Sequence, residues 1–406
     1  MAVLFTRPPL QPGYQETLIF STEISRSTSG SEGGGRRVSS FNTPEPVHRI
    51  SMTPFGFSLA ESAQLTNDLL TAMRNADGGV WVPLWGSEVE LVVAADPTDT
   101  TLFIPTADGE FVPGGWLIIS DPADRSRADL LQIDEIIDSS EILLQDEVTQ
   151  AFGVGASVCP AVFCSLHSPA QTGFDSLARS VSGSVEFEEI GAPDWEGTYT
   201  FSGTTYLSKP VYIPDPDTFA SMSGGPACSK VVRGDVWNNR TGAEYSPARQ
   251  DLTWGWNRIL RNRSQRMSLV RWFKYCKGAL RNFWLRFPAP SFYTSLSASS
   301  GASTVTILNN GSYNALVGVR RHVWIGAAGH DRGYRISNPV LSVDGLTVQL
   351  TVTPTLAAGL PANSGLDILI YGRYTGDELD LQASNLGPDI TEAQETFVEV
   401  QRDTPE

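Results

Sequence analysis

The sequence predicts a mainly β protein that is built as two tandem copies of one domain, each with a single helix. Three observations predict this class: short matches that recur in the same order in both halves, closely spaced turn residues, and one apolar helical stripe in each half. The length of 406 residues fits two domains of about 200 residues each. We place these domains at 1–200 and 201–406.

The duplication is predicted from short segments of the first half that recur, in order, in the second half. The aromatic strand at 80–85 matches 283–288, and 100–104 matches 303–307. The separation between matched segments stays between 203 and 212 residues over the whole length. A single match of this kind carries little weight, but an ordered series at a near-constant separation indicates a tandem repeat.

A helix is predicted in each half. In the first half, Ser58 and Glu61 form a capping box that opens an apolar pattern ending at Met73. In the second half, one apolar stripe has spacings of four, three and four residues and consists of Leu269, Phe273, Cys276 and Leu280. Such stripes predict helices that pack on a sheet.

Each half also contains a long stretch of short strands, at about 88–160 and about 290–372. Turn residues divide these stretches every eight to twelve positions, which predicts small β-barrel-like insertions. The strongest hairpin signal is Asp344-Gly345, which lies between two alternating segments.

Charge is distributed unevenly along the chain, whose formal net charge is −16. This balance argues against tight binding to duplex DNA. Between Asp251 and Asp331, however, the chain has eleven Lys and Arg residues and no acid. We expect part of this cationic segment to contact neighbouring subunits or partner proteins through Arg258, Arg261, Arg266, Arg271, Lys274, Lys277 and Arg281. A nucleic-acid patch with interleaved tryptophans is the less favoured interpretation.

No sequence pattern predicts catalysis. The chain has no phosphate-binding loop, nucleophile elbow or paired metal-binding histidines, and its four histidines are widely spaced. Three acids, Asp121, Asp124 and Asp129, are a candidate cation site, although a solvated hairpin tip fits them better. We therefore expect no enzyme. The chain has no apolar run long enough to span a membrane and does not begin with a signal-peptide core, so we expect neither a membrane protein nor a secreted one.

The four cysteines, Cys159, Cys164, Cys228 and Cys276, are too few and too scattered to predict a disulfide framework. Thiolates are good metal ligands, so an iron–sulfur or zinc site is the alternative. We favour small buried side chains and expect no cofactor.

The matched features of the two halves resemble the distal-tail, or tail-tip, proteins of long-tailed, siphovirus-like bacteriophages. In each half a strand with Gly30-x-Glu32 or Gly242-x-Glu244 precedes arginines on a further strand, Arg49 or Arg258 and Arg261. A helix and an aromatic strand follow, with Trp81-x-x-x-Trp85 or Trp284-x-x-Phe287. The resemblance covers most of both halves.

The resemblance implies two tail-tube-like β-sandwich domains that assemble into a ring at the end of the tail. It implies a virion protein of the tail tip or baseplate, made in the host cytoplasm, that joins the tail tube to hub or fibre proteins. The expected partners are further copies of the chain, as a homotrimer with pseudo-sixfold symmetry or a homohexamer, together with the tail tube, hub and tape-measure proteins. DNA would pass through the ring without specific binding.

Two other functions remain open. A receptor- or glycan-binding tail-tip module is the first alternative, because aromatic-rich β insertions are common sugar platforms. A cell-wall hydrolase is the second, and it would need a carboxylate pair in a cleft, for which the sequence offers only the acids of 121–146.

Overall fold

The structure is a computed structural model of the whole chain. The residues it describes are 4, 14–19, 22–25, 38–41, 47–53, 55–56, 79–106, 111–122, 124, 127–175, 180–190, 203–228, 231–235, 240–244, 250–287, 291–310, 321–326, 329–383 and 390–400. The predicted first-half helix, from Ser58 to Met73, and the Gly30-x-Glu32 segment lie outside these residues.

Within the described residues the fold is mainly β, as predicted, and almost all strand pairs are antiparallel. The first thirteen strands are β1 (Tyr14–Ile19), β2 (Thr22–Ser25), β3 (Val38–Phe41), β4 (Val47–Met52), β5 (Phe55–Gly56), β6 (Val80–Pro83), β7 (Val89–Glu90), β8 (Thr101–Phe103), β9 (Trp116–Ser120), β10 (Ala128–Ile136), β11 (Glu141–Leu144), β12 (Ser157–Asp175) and β13 (Ser180–Glu189).

The remaining strands are β14 (Thr205–Tyr206), β15 (Lys209–Tyr212), β16 (Phe219–Cys228), β17 (Val231–Asp235), β18 (Arg240–Glu244), β19 (Gln250–Leu260), β20 (Phe283–Arg286), β21 (Phe292–Tyr293), β22 (Thr304–Leu308), β23 (His322–Ile325), β24 (Arg332–Leu341), β25 (Thr347–Thr353), β26 (Gly365–Tyr374), β27 (Glu378–Ala383) and β28 (Thr391–Glu399). The described α-helix, α1, spans Arg263–Cys276.

The chain divides into two compact units. Unit 1 contains Met1–Thr200, Asn257–Gly278 and Gly376–Glu395, and unit 2 contains Phe201–Trp256, Ala279–Thr375 and Thr396–Glu406. Helix α1 and strand β27, which belong to the second half of the sequence, are therefore parts of unit 1. The division into repeats at residue 200 stays a prediction.

The main sheet of unit 1 runs in the order β27, β1, β4, β13, β12 and β6, with every neighbouring pair antiparallel. Alternation along these strands directs one set of side chains into a core. In β4 half-buried and buried positions alternate without interruption. The core includes Met52, Val82 and Phe187, all fully buried.

Residues 89–158, the first block, enclose a separate hydrophobic core. Pairing in this block runs from β7 to β12, β9, β10, β11 and β8. It then returns to the segment after β7, because the backbone N–H of Val92 donates to the Phe103 carbonyl at 2.9 Å.

The described residues between 292 and 366 of unit 2, the second block, also enclose their own core. Pairing runs from β21 to β26, β23, β24, β25 and β22. It returns to the segment after β21, where the N–H of Ser295 donates to the Thr306 carbonyl at 2.8 Å. The predicted Asp344-Gly345 hairpin is confirmed, since it joins β24 to β25 and Gly345 has a positive φ of 71°.

The two blocks thus have the same connectivity, strand for strand. Strands outside the two blocks correspond in the same way. In the first half β12 pairs with β6 and with β13, and in the second half its counterpart β26 pairs with β20 and with β28. The leading segments also agree, because Leu4 forms a parallel bridge with Trp81, while Val211 of β15 lies parallel to Trp284.

Helix α1 begins at a capped end and ends at a left-handed residue. The Asn262 side chain accepts a hydrogen bond from the Gln265 N–H at 2.9 Å. The following Lys277 has φ 51° and Gly278 has φ 56°, which stops the helix after Cys276. The predicted stripe is buried at Leu269, Phe273 and Cys276, whereas Leu280 lies beyond the helix end and is exposed.

Candidate functional site

The seven cations predicted to contact partners occupy different environments. Arg261, Arg271 and Arg281 are exposed and Lys277 is half-buried. The other three, Arg258, Arg266 and Lys274, are buried. Arg258 and Arg266 each form an ion pair inside unit 1. In the single chain these two charges therefore bind internal carboxylates, and the predicted partner contacts depend on the exposed members.

The strongest polar arrangement of unit 1 is a group that we call the buried ion cluster: Glu16, His48, Ser87 and Arg266. The Glu16 carboxylate is fully buried and accepts from Arg266 Nη2 at 2.6 Å and from His48 Nδ1 at 3.0 Å. Arg266 Nη1 donates to Ser87 Oγ at 2.8 Å. His48 and Arg266 therefore meet at the Glu16 carboxylate, and Ser87 joins the group through Arg266.

Local structure positions each member of the buried ion cluster. Alternation along β1 points Glu16 inward with Tyr14 and Leu18, and Tyr14 Oη donates to Glu16 Oε2 at 3.2 Å. On α1, Arg266 precedes the buried residues Val270 and Phe273 by four and seven positions, so that it lies on the same face. A Cβ atom at Gly86 would lie 2.8 Å from Arg266 Nη2, so a larger residue there would displace the guanidinium.

The charges of the buried ion cluster stabilise one another. Burial alone would raise the pKa of Glu16, but Arg266 and then His48 lower it to about 2. Burial alone would lower the pKa of His48, but its hydrogen bond to Glu16 and the charges of Glu189 and Glu16 raise it above the usual 6.5. The ion pair of Glu16 and Arg266 joins helix α1 to strand β1.

A second ion pair of unit 1 joins β19 to β28. Arg258 Nη1 donates to Glu395 Oε2 at 3.1 Å, and both side chains are buried. Arg258 also belongs to the cationic segment, so two of its arginines bind β-strand acids at buried positions. Both pairs are strongly desolvated, which makes the loss of either partner costly.

The sequence reasoning missed Glu16, His48 and Ser87. One signal for Glu16 was available, because an acid at the inward phase of an alternating strand needs a buried partner. Arg266, at the inward phase of the predicted helical stripe, is the matching cation. His48 and Ser87 carry no comparable signal, since their neighbours on the chain are ordinary strand and turn residues.

The cysteines lie at apolar positions. Cys159, Cys164 and Cys276 are buried and not disulfide-bonded, while the side chain of Cys228 lies outside the described part of the structure. Cys159 and Cys164 are five residues apart on β12, so alternation places their side chains on opposite faces. Burial raises the pKa of Cys164 well above its usual value. Among the residues that the structure describes, no three His, Cys, Asp or Glu side chains are grouped to hold a metal ion.

The acids considered as a cation site have protein partners. The Asp129 carboxylate is buried and accepts from the Thr149 N–H at 2.8 Å, from Thr149 Oγ1 at 2.6 Å and from Gln150 Nε2 at 3.1 Å. Asp121 forms an ion pair with Arg127 at 3.5 Å. Asp129 therefore ties β10 to the segment that follows β11.

Unit 2 contains a buried aromatic cluster around His322, formed with Tyr206 and Trp284. His322 Nδ1 lies 3.0 Å from Tyr206 Oη, and the His322 and Trp284 rings are 4.6 Å apart between centroids. Trp284 Nε1 donates to the Tyr206 carbonyl at 3.0 Å. Burial, with the charges of Arg335 and Arg321, lowers the pKa of His322 to about 4.

These two histidines predict opposite pH responses in the two units. Because unfolding returns His322 to a pKa near 6.5, its protonation destabilises unit 2 progressively as the pH falls from 6.5 towards 4. His48 has a raised pKa, so its contribution to unit 1 is complete below pH 6.5 and is lost as the pH rises through its folded-state pKa. Hydrogen exchange measured region by region between pH 4 and 8 checks both signs.

The controls for this pH response are His322→Phe and His48→Gln. Each variant is expected to remove the pH dependence of one unit and leave that of the other unchanged. If the stability of that unit depends on pH equally steeply in the variant and in the parent, its histidine does not cause the pH response.

Neither the protein-family models nor the curated protein sequences give a match to this chain. In the described residues, no helix has the length and apolar character that a membrane crossing requires.

Proposed function

We propose that the chain is a structural protein of a phage tail tip, a ring-forming adaptor between the tail tube and the hub or fibre proteins. The observation that carries this proposal is the shared connectivity of the two halves, from the parallel leading segment through the block to the closing strand. Two similar domains in one chain suit a ring in which neighbouring positions repeat.

In this proposal each half is a tail-tube-like β-sandwich with a small β-barrel inserted into it. The backbone hydrogen bonds donated by Val92 and Ser295 support closure of the two blocks into barrels. Each bond joins the last strand in the pairing order, β8 or β22, to the segment that follows the first strand, β7 or β21. Their separate cores support an insertion that folds around its own apolar side chains.

Internal strand addition supports assembly by sheet edges. Strand β27, from the second half of the sequence, pairs with β1 of the first half over five residues. An edge strand that is extended in this way no longer exposes its backbone donors and acceptors. The same mode of pairing between copies would close a ring without open edges.

The surface of the second block favours the adaptor over the glycan-binding module. Among its described residues the exposed large apolar side chains are aliphatic except for Tyr293, and Val340, Val343 and Leu346 lie at the hairpin between β24 and β25. Aliphatic patches are typical of contacts with proteins, whereas sugar platforms use aromatic rings. In this proposal the tail proteins are the partners of the block.

Charge reversal at the exposed cations is expected to weaken assembly and leave the fold intact. Arg261→Glu with Arg271→Glu changes two exposed positions of the cationic segment, each worth ~0.5–1 kcal/mol at a protein interface. We expect the dissociation constant of the oligomer to rise about five- to thirtyfold. Sedimentation velocity at several salt concentrations measures it, and Lys209→Glu, at an exposed position outside the cationic segment, is the matched control. An unchanged constant would refute a role for these arginines in assembly.

The position in the particle is tested by immunogold labelling of tailed particles from the cells that produce the chain. Label at the distal end of the tail is the expected result. Label at the capsid, or purified tailed particles that lack the chain, would contradict the proposal.

A further inference from the structure

The hairpin of β12 and β13 corresponds to the hairpin of β26, β27 and β28. At the base, Cys164 opposes Glu189 as Gly372 opposes Glu399. In the outer part of the first hairpin, Gln171 opposes Ser184. In the outer part of the second hairpin, Asp380 opposes Gln394, so Asp380 is the counterpart of Gln171. Residues 171–175 of β12 are therefore the first-half equivalent of β27.

Strand β27 covers one edge of β1, and β4 covers the other. Thr17 at the centre of β1 lies opposite Arg49 of β4 and opposite Asp380 of β27. Thr17 Oγ1 donates to Asp380 Oδ1 at 2.6 Å across the second pair. Unit 1 thus shows what a hairpin of this kind does: its outer strand extends a sheet.

The second-half equivalent of β1 is β16. Ser223 Oγ of β16 donates to the Gly255 carbonyl of β19 at 3.4 Å, as expected for facing residues on neighbouring strands. Ser223 and Gly255 follow Thr17 and Arg49 at the same separation, so the pair occupies the equivalent place in the second half. In β1 the edge opposite this pairing is the one that β27 covers.

We propose that residues 171–175 of β12 in one copy of the chain pair antiparallel with β16 of a second copy. Transferring the β1–β27 register to the equivalent residues places Gln171 opposite Ser223 and Thr172 opposite Met222. Ser223 and Gln171 then occupy the register positions that Thr17 and Asp380 have in unit 1. The proposal rests on the proposed function, because it specifies the contact between copies that closes the ring.

A second copy is the occupant because the pairing is heterologous. Within one chain, the hairpin of the second half extends the sheet of the first half. By the same pairing, the hairpin of the first half would extend the sheet of the second half of another copy. Heterologous contacts of this kind continue from copy to copy until a ring closes. One β27 pairing within each chain and one β12 pairing between chains would then alternate around the ring.

Disulfide trapping between two different variants tests this register. Gln171→Cys and Ser223→Cys are made in separate chains that also carry Cys228→Ser, and the two chains are mixed, assembled and oxidised. We expect a covalent dimer that forms only in the mixture. The register control replaces Gln171→Cys by Thr172→Cys, which is one residue out of the proposed register, and at least about a fivefold lower yield is expected.

The pair Thr17→Cys with Asp380→Cys in one chain is the positive control, because these residues face each other in unit 1. If rings form without a 171–223 cross-link, or if the register control gives the same yield of cross-linked dimer, the proposed pairing is wrong although the chain still assembles into a ring. Gln171→Cys with Ser223→Cys in one chain, cross-linked at monomer mass, also overturns it. A protein that stays monomeric at assembly concentrations overturns both this pairing and the proposed function.

Discussion

Arg266→Ala is expected to destabilise unit 1 by about 3–5 kcal/mol, because it leaves the Glu16 carboxylate buried without its main counter-charge. The loss is specific to unit 1, to which both residues belong. Hydrogen exchange measured by region is expected to rise in peptides of unit 1 and to stay unchanged in peptides of unit 2. Urea denaturation supplies the change in the free energy of unfolding.

Two controls separate the lost charge from lost packing. Arg271→Ala removes an exposed arginine of the same helix and is expected to change stability by less than about 0.5 kcal/mol. The double variant Arg266→Met with Glu16→Gln removes both charges and is expected to recover part of the loss, since an unpaired buried charge is no longer present. If Arg266→Ala is as mild as Arg271→Ala, the buried ion cluster does not hold helix and sheet together.

Trp284→Ala is expected to destabilise unit 2 by about 3–5 kcal/mol, the usual cost of truncating a buried tryptophan. Trp284 is 1% exposed, packs on Tyr206, His322 and Tyr371, and donates its indole N–H to the Tyr206 carbonyl. The substitution leaves a cavity and removes this hydrogen bond, and both changes weaken the packing around β20. Thermal or urea unfolding, followed by exchange in peptides of unit 2, measures the effect.

The repeat supplies the matched control. Trp81 occupies the equivalent strand position but is only half-buried, against Trp116 and Phe163. Trp81→Ala is therefore expected to cost less, about 1–2 kcal/mol, and to act on unit 1. Equal losses in both variants, or a loss from Trp284→Ala that appears in unit 1, would contradict this account of the aromatic strands.

The sequence was most informative where periodicity and turn chemistry act locally. The predicted stretch at about 88–160 nearly coincides with the core from Val89 to Val158, and Asp344-Gly345 forms the predicted hairpin. Each depends on neighbouring residues alone. The end of α1 was misjudged by about one turn, because the left-handed φ of Lys277 interrupts an apolar stripe that continues to Leu280.

The buried ion cluster could not be predicted from local patterns. Arg266 is 250 residues from Glu16, and a helical pattern does not show which sheet the helix will contact. The positive charge of the segment between Asp251 and Asp331 was also a misleading guide to which of its side chains are exposed. Arg258 and Arg266 belong to a segment that reads as an exposed cationic surface, yet each binds one acid of a distant strand at a buried position.

We propose that two copies of one domain, joined in tandem, alternate around a closed ring. Native mass spectrometry combined with electron images of the purified chain would reveal such a ring. We expect either a trimer of three times the 44.0 kDa chain mass with six similar lobes or a hexamer with stacked repeats. A monomer, or an oligomer in which no sheet continues from one chain to the next, would contradict it.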